Sequence, residues 1–203
     1  MSGKVEGVTH PANLADGATI TETYVDNVTN SIIGLDGALA KVEPIHVATS
    51  VDVSNDATEN TLFTYEVPAN TLGTGNIVRF DAGLYWYNNS GVVSQQLTLK
   101  LYYGSTTVSD TFDLETANTT KYRPIICNGA VVATGATDTQ QAYVAWSAMT
   151  RMSVGPEYGD LDQTFAEDST TALDFKLTGQ LSNAATTVKF GLIWAVVYLV
   201  DVS

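Results

Sequence analysis

Regular alternation of apolar and polar residues is the feature that most limits what this 203-residue chain can fold into. The even-numbered positions of residues 77–87 are apolar, and so are the odd-numbered positions of residues 97–103. Because successive side chains of a β-strand point to opposite faces, this pattern predicts strands with one buried face. Asn88-Asn89-Ser90-Gly91 lies between them and is typical of a turn, since Asn and Gly tolerate left-handed backbone angles. The stretch therefore predicts neighbouring strands of an antiparallel sheet.

The same pattern extends over most of the chain. Segments rich in Gly, Asn, Asp and Thr separate the apolar runs, and residues 153–170 form the longest predicted loop. The eight predicted strands are Leu62–Val67, Ile77–Tyr87, Gln95–Tyr103, Thr106–Leu114, Lys121–Thr134, Thr139–Met152, Thr171–Leu181 and Thr187–Val200. Eight antiparallel strands in about 140 residues are typical of a two-sheet sandwich. The predicted fold class is all-β: an eight-stranded antiparallel jelly-roll sandwich preceded by an N-terminal arm and one short helix.

Large apolar side chains of one parity along these strands are expected to form the core between the sheets. The expected inner-face residues are Leu62, Val78, Phe80, Leu84, Trp86, Leu97, Leu99, Leu101, Phe112, Leu173, Phe175, Leu177, Phe190, Leu192 and Trp194. Cys127 lies in an apolar run and is expected to be a buried, unreactive thiol. It is the only cysteine, so no disulfide can form within the chain.

Residues 1–60 differ from the rest and are predicted to be an anchoring region that precedes the β domain at 61–203. Residues 1–18 contain many Gly, Pro, Asn and Asp residues and are predicted to be an extended arm. Thr19 and Glu22 form a capping-box pattern, which predicts a helix over about residues 19–43 that ends before Pro44. Residues 44–60 are predicted to be a linker with one edge strand.

Apolar residues of the predicted helix are spaced alternately three and four apart, which is a heptad seam. They are Val25, Val28, Ile32, Leu35, Leu39 and Val42. Two interpretations stay open, since the seam can pack against the chain's own β domain or against copies of itself. Self-association, as a bundle of three chains, is favoured, and these residues are the candidate oligomerisation site.

The formal net charge of −13 disfavours binding to nucleic acid or to an anionic membrane surface, because both would repel the chain. The first ten residues lack the apolar core of a secretion signal. The most apolar segment, residues 188–200, is shorter than the roughly 20 residues that span a bilayer. We therefore expect neither a nucleic-acid nor a membrane partner.

Residues suited to acid–base or nucleophilic catalysis are sparse. The histidines are His10 in the arm and His46 in the linker, so no histidine is expected in the β domain. Zinc-binding, phosphate-loop and serine-hydrolase motifs are absent from the sequence. We expect a protein that is not an enzyme and that has no catalytic residue, no cofactor and no metal site.

Two groups of residues leave other interpretations open. An acidic stretch offers ligands for calcium or a pair of catalytic carboxylates, although a solvated loop is favoured; its members are Glu157, Asp160, Asp162, Glu167 and Asp168. Aromatic residues such as Tyr85 and Tyr87 suit stacking on sugar rings. Alternation places Trp86 on the core face, however, so core or subunit-interface roles are favoured for the aromatic residues.

Four motifs resemble the jelly-roll domains of tailed-phage virion proteins. They are Pro-Ala-Asn-Thr-Leu-Gly at Pro68 to Gly73, Asn-Asn-Ser-Gly at Asn88 to Gly91, Leu-Thr-Leu-Lys at Leu97 to Lys100 and Tyr-Gly-Ser-Thr-Thr-Val at Tyr103 to Val108. Residues 172–181 are also similar to the penultimate strand of such domains. The resemblance covers residues 61–200 and leaves residues 1–60 uncovered.

The resemblance implies a structural protein of the virion that carries no catalytic residues. Such domains occur as capsid decoration (cement) proteins, head fibres and tail-fibre parts, usually as trimers. The first hypothesis is a homotrimer that is made in the host cytoplasm and binds the major capsid protein, or another virion protein, on the outer surface of the phage head. The alternative is a tail- or head-fibre component that binds a host receptor or surface glycan.

Overall fold

The computed structural model describes residues 41–91, 95–114, 122–151 and 155–201. The regular elements in these ranges are β1 (Lys41–Ala48), β2 (Val51–Ser54), β3 (Asn60–Val67), β4 (Ile77–Asn88), β5 (Gln95–Tyr103), β6 (Thr106–Leu114), β7 (Arg123–Ala136), β8 (Thr139–Arg151), β9 (Gly155–Phe165), β10 (Leu173–Leu181) and β11 (Val188–Asp201). Each of the eight predicted segments is a strand, and its ends lie within two residues of the predicted ones. The described part of the chain contains three further strands, β1, β2 and β9.

The strands form two sheets in which all neighbours are antiparallel. The larger sheet has the order β1-β11-β4-β7-β8-β9, with β2 also paired to β11, and the smaller sheet has the order β3-β10-β5-β6. The first strand therefore pairs with the last in one sheet, and β3 pairs with the next-to-last in the other. This nesting is consistent with a jelly roll. β8 and β9 extend the larger sheet by one more hairpin.

Aromatic side chains from both sheets meet in the core. Phe80 of β4 packs against Phe63 of β3 and Phe175 of β10, with ring centroids 6.1 and 5.5 Å apart. The predicted inner-face residues are buried, except that Leu173 is only partly buried against the core and Trp194 is 42% exposed. Cys127 is buried, as predicted. Alternation therefore predicted correctly which residues pack between the sheets, apart from Trp194 in β11.

The first two strands contain the edge strand predicted within residues 44–60, but they correct the predicted boundaries. β1 and β2 both pair with β11, so these residues belong to the sandwich, and the predicted boundary at residue 60 lies inside it. Lys41–Glu43, the last three residues of the predicted helix, belong to β1 instead. Val42 of the predicted seam lies opposite Val200 in the sheet. Residues 19–40 and the other seam positions, Val25, Val28, Ile32, Leu35 and Leu39, lie outside the described residues.

The edge of β11 explains why β1 forms there. β11 is a long apolar strand whose backbone groups need partners on both sides, and the β-branched residues of β1 suit that role. Pro44 has no N–H to donate, which is tolerated because β1 is an edge strand whose register shifts between Pro44 and His46. The proline that predicted a helix end is thus accommodated within an edge strand.

The prediction of one long loop at residues 153–170 is also corrected. β9 covers Gly155–Phe165 and pairs along β8 as the opposite edge of the larger sheet. Edge strands tolerate charged and polar residues, and β9 contains Asp160 and Asp162 among them. A prediction based on apolar alternation misses a strand of this composition.

Candidate interaction surface

The outer face of the smaller sheet is polar. Strands β5, β6 and β10 present to it Gln96, Thr98, Lys100, Tyr102, Ser109, Thr111, Asp113, Asp174, Lys176 and Gln180. Side chains pair across the strands, as in the 2.9 Å hydrogen bond between Thr98 and Thr111 and the 2.8 Å hydrogen bond that Gln96 donates to Asp113. This is the composition of an antiparallel sheet face in contact with water.

The outer face of the larger sheet carries exposed apolar and aromatic side chains instead. Among the described residues, the large hydrophobic side chains that stay exposed are Val47, Tyr122, Ile126, Tyr143, Ile193 and Trp194. All lie on strands of the larger sheet, except Tyr122, which directly precedes β7. We call Val47, Ile126, Ile193 and Trp194 the apolar patch.

Backbone register brings the apolar patch together on adjoining strands. Gly83 of β4 lies opposite Trp194 of β11 on one side and opposite Ile126 of β7 on the other. Val47 of β1 lies opposite Val196, two residues beyond Trp194 on β11. The patch therefore crosses β1, β11, β4 and β7 on one face of the sheet.

A bulge in β11 turns Trp194 outward. The register between β11 and β4 shifts between Leu192 and Trp194. The extra residue places both Ile193 and Trp194 on the outer face, 51% and 42% exposed, while Leu192 and Ala195 stay buried. Uninterrupted alternation would put Trp194 inside, so the inner-face prediction for Trp194 is wrong.

Gly83 gives the Trp194 indole its position. A Cβ at residue 83 would overlap Nε1 and Cε2 of that indole, so the ring lies directly against the backbone of β4. A glycine inside a strand often marks such a close approach. Gly83 was therefore the one sequence signal that could have indicated a large side chain crossing the outer face here.

Three tyrosines flank the apolar patch. The Tyr122 ring packs edge-on against Tyr85 and tilted against Tyr87, with centroids 5.0 and 5.4 Å away. The Tyr85 hydroxyl donates a 2.5 Å hydrogen bond to Asp52 of β2. Burial, together with this hydrogen bond, raises the pKa of Tyr85 well above its usual value. The phenol therefore stays protonated and anchored at neutral pH. Tyr85 and Tyr87 lie on the outer face, as alternation predicted.

A groove of about 620 Å³ with polar side chains at its rim lies beside the apolar patch, on the side towards β8 and β9. Its lining includes Arg79, Asn128, Ala130, Tyr143, Ala145 and Asp162. Nη2 of Arg79 lies 3.1 Å from both carboxylate oxygens of Asp81, which holds the guanidinium at the rim. Of the acidic stretch noted in the sequence, Asp162 reaches this groove.

Two other carboxylates of the acidic stretch are committed to local structure. Oε1 of Glu167 accepts hydrogen bonds of 2.6–3.0 Å from the backbone N–H and hydroxyl groups of Ser105 and Thr106. Partial burial by itself would raise the pKa of Glu167, but these hydrogen bonds lower it overall. Asp168 accepts hydrogen bonds from the N–H and hydroxyl of Thr170. Glu167 and Asp168 hold turns in place in the connection between β9 and β10, as part of the predicted loop. Glu157 and Asp160 lie on β9 instead.

Glu59 organises the outer face of the smaller sheet. Its carboxylate accepts hydrogen bonds from Lys100 at 2.6 Å, Tyr102 at 2.6 Å and Thr178 at 2.8 Å. Partial burial would raise the pKa of Glu59, but these hydrogen bonds outweigh it and lower the pKa from 4.5 to about 2. Because the folded-state pKa lies below the unfolded value, the network stabilises the fold above pH 4.5 and loses that contribution as the pH falls towards 2.

Replacing Glu59 by glutamine is expected to lower the free energy of unfolding by about 1 kcal/mol near neutral pH, a small value because solvent screens this surface network. The difference from wild type should shrink as the pH falls from 4.5 to about 2, where the wild-type carboxyl becomes neutral. Urea unfolding at a series of pH values measures both. A difference that does not change with pH would contradict the role of the charge.

The histidine prediction is corrected for His46. This residue lies in β1 within the sandwich, and its ring centroid is 5.3 Å from that of Tyr65, while His10 lies outside the described residues. In the described ranges, no group of three or more His, Cys, Asp and Glu side chains is placed to hold a metal ion. No helix in those ranges is long and apolar enough to cross a membrane.

No protein-family model matches the sequence, and no curated protein matches it. Among solved structures, the chain is similar to the CBM2 module of the evolved Dit of Lactobacillus casei BL23 phage J-1, with 11% identity and a TM-score of 0.39 over 81% of this chain and 98% of that one. It is similar to peanut lectin, with 7% identity and a TM-score of 0.39 over 81% and 92% of the two chains. A structure of infectious bursal disease virus Gt strain shows 13% identity and a TM-score of 0.33 over 80% of this chain and 42% of that one. Likenesses this weak carry no conclusion about what the protein does.

Proposed function

We propose that this protein is a non-enzymatic structural component of a phage virion: a homotrimeric decoration (cement) protein that binds the major capsid protein on the outer surface of the head and stabilises the shell. The single observation that carries the proposal is the apolar patch on the outer face of the larger sheet. The resemblance of residues 61–200 to virion jelly-roll domains supports it.

Apart from two tyrosines, the other large apolar side chains of the described residues are buried or partly buried, whereas this cluster on the outer face is exposed. Such a cluster favours binding to another protein. Isolated exposed apolar residues are ordinary, whereas Trp194, Ile193 and Ile126 are grouped on one face, on the two strands that flank β4 at Gly83. Tryptophan is enriched among the residues that dominate binding energy in protein interfaces. Trp194 is already held against Gly83, so little of its side-chain freedom is left to lose on binding.

The opposite face suits exposure to water. Its threonines, Lys100 and Tyr102 form hydrogen bonds within the sheet and with Glu59, and none of the exposed large hydrophobic side chains of the described residues lies there. The proposed orientation therefore places the apolar patch of the larger sheet on the shell and the smaller sheet towards solvent.

The charge distribution is consistent with such a contact. The chain has a net charge of −13, so its acidic surfaces repel other acidic surfaces. Asp81 lies opposite Val196 beside the apolar patch, but it is paired with Arg79 at 3.1 Å, and charged residues are depleted at the centres of protein interfaces. Docking through this patch buries apolar area and keeps most carboxylates in water.

The homotrimer is proposed to form through the predicted seam positions other than Val42, which are Val25, Val28, Ile32, Leu35 and Leu39. Replacing Val28 by aspartate is expected to convert the trimer to monomers while the β domain stays folded, since a carboxylate at a buried seam position is costly. Light scattering after size-exclusion chromatography measures the mass, and far-UV circular dichroism checks the fold. Retention of the wild-type mass by the variant would count against the seam.

Antibody-gold labelling of intact particles tests the proposed function, together with a protein gel of the same preparation. Gold over the whole head and a band comparable with that of the major capsid protein are expected for a decoration protein. Gold only on the tail or on fibre tips would contradict decoration and favour the fibre alternative. Particles without any label would contradict a role in the virion.

A further inference from the structure

We propose that the groove on β4, β7, β8 and β9 binds a neutral saccharide, with one face of a sugar ring on Tyr143 and the sugar hydroxyl groups hydrogen-bonded to Arg79, Asn128 and Asp162. The groove's volume of about 620 Å³ lies within the range of small-molecule sites, roughly 300–1,000 Å³. It is formed by side chains on strands and is therefore a rigid feature of the sandwich.

Strand register creates the depression. Ala130 of β7 lies between Arg79 of β4 and Tyr143 of β8 in one row across the sheet. In the next row, Ala145 of β8 lies opposite Asn128 of β7. Because alanine side chains are short, the longer side chains on either side stand above them. The groove therefore has an alanine floor with polar and aromatic walls.

Tyr143 gives the groove an aromatic surface. It is 52% exposed, although an aromatic side chain of this size is usually more buried. A sugar ring has an apolar C–H face and a rim of hydroxyl groups, which matches an exposed aromatic ring with polar neighbours. A wholly apolar ligand would cover Arg79 and Asp162 without giving them hydrogen-bond partners, which is unfavourable.

The polar side chains supply both kinds of hydrogen-bonding group that hydroxyls need. A hydroxyl both donates and accepts. Arg79 offers N–H donors, Asp162 offers carboxylate acceptors, and the Asn128 amide offers one of each kind. Asp81 holds the Arg79 guanidinium in place through two 3.1 Å contacts, so this donor is oriented before a ligand arrives.

Other ligands suit the groove less well. An anionic ligand would meet Asp81 and Asp162 around a single arginine, in a chain whose net charge is −13. An extended peptide cannot add to this part of the sheet as a new strand, because β7 and β8 are both paired on two sides. A neutral, hydroxyl-rich ligand is compatible with the charge, the aromatic ring and the closed strand edges.

The test is binding of the full-length protein to a printed array of defined neutral and acidic oligosaccharides, followed by calorimetric titration with the strongest neutral binder. Wild type should bind neutral oligosaccharides. Tyr143→Ala and Arg79→Ala should each weaken that binding about tenfold or more, equivalent to about 1.4 kcal/mol. Both residues are exposed, so melting curves should show that the variants stay folded.

Tyr122→Ala is the matched control, because Tyr122 lies at the same sheet face but outside the groove. Its side chain is 60% exposed, comparable with the 52% of Tyr143. It should bind like wild type. Failure of wild type to bind any neutral oligosaccharide would overturn the proposal, as would a preference for acidic ones or undiminished binding by Tyr143→Ala. The groove lies beside the apolar patch on the same sheet face, so binding is measured on the free protein, and these outcomes do not test the proposed decoration role.

Discussion

Replacing Phe80 by alanine is expected to lower the free energy of unfolding of the sandwich by about 3–5 kcal/mol. Phe80 is completely buried and joins the two sheets, since its ring lies 6.1 Å from that of Phe63 and 5.5 Å from that of Phe175. Without the ring, a cavity is left between two hydrogen-bonded sheets, which can relax into it only partly. The edge-on pair with Phe175 is also lost, which adds about 0.5–1.5 kcal/mol to the effect of area alone.

Urea unfolding followed by circular dichroism and tryptophan fluorescence measures this change. Thr64→Ala is the control, because Thr64 is the exposed neighbour of Phe63 on the outer side of β3, and it should change stability by no more than about 0.5 kcal/mol. A loss below about 1 kcal/mol for the Phe80 variant would mean that the two sheets do not depend on this contact.

Replacing Trp194 by aspartate is expected to weaken binding to the particle by about 30-fold or more, equivalent to about 2 kcal/mol. The substitution removes the large aromatic side chain of the apolar patch and introduces a carboxylate that loses water on docking. Trp194 is 42% exposed and lies outside the core, so the β domain should stay folded.

Cosedimentation with particles that lack the protein measures the affinity. Thr111→Asp is the control, since Thr111 is an exposed residue on the smaller sheet and the variant gains the same charge. It should bind like wild type. Equal losses for the two variants would indicate general charge repulsion and contradict a specific role for the patch.

The central strands could be predicted because their pattern is local. In β4 and β5 the inner positions from Val78 to Trp86 and from Leu97 to Leu101 are filled by apolar residues, and only the buried strand ends, Asn88 and Gln95, are polar. A strand that is buried on one face and wet on the other must alternate in this way. Their burial required no knowledge of which strand lies next to them.

The edge strands could be predicted only in part. The sequence predicts one edge strand within residues 44–60, but not its start at Lys41 or its division into β1 and β2, because β1 contains Pro44 and a register shift. β9 is polar and lacks alternation altogether. Both edge strands, β1 and β9, form because they pair with the open sides of β11 and β8. The sequence of an edge strand alone does not show that such a partner is available. Val42, the last position of the predicted heptad seam, pairs with Val200 in the sheet, which spacing along the chain could not show.

The interaction surface depended on features that only the folded sheet shows. The bulge that turns Trp194 outward arises where β11 meets Gly83 on one side and the break between β1 and β2 on the other. The groove joins Arg79, Asn128, Tyr143 and Asp162 from four strands, and their rows are set by register. Single-strand alternation specifies the face of each residue but not its cross-strand neighbours.

Hydroxyl-radical footprinting of the protein on the particle and free in solution tests most directly whether the larger sheet is the docking face, because it reports the exposure of individual aromatic side chains. Trp194 on the larger sheet should be oxidised readily in the free protein and be protected on the particle. Tyr102 on the smaller sheet should react equally in both states. Protection of Tyr102 with undiminished oxidation of Trp194 would contradict the proposed orientation and the role of the apolar patch.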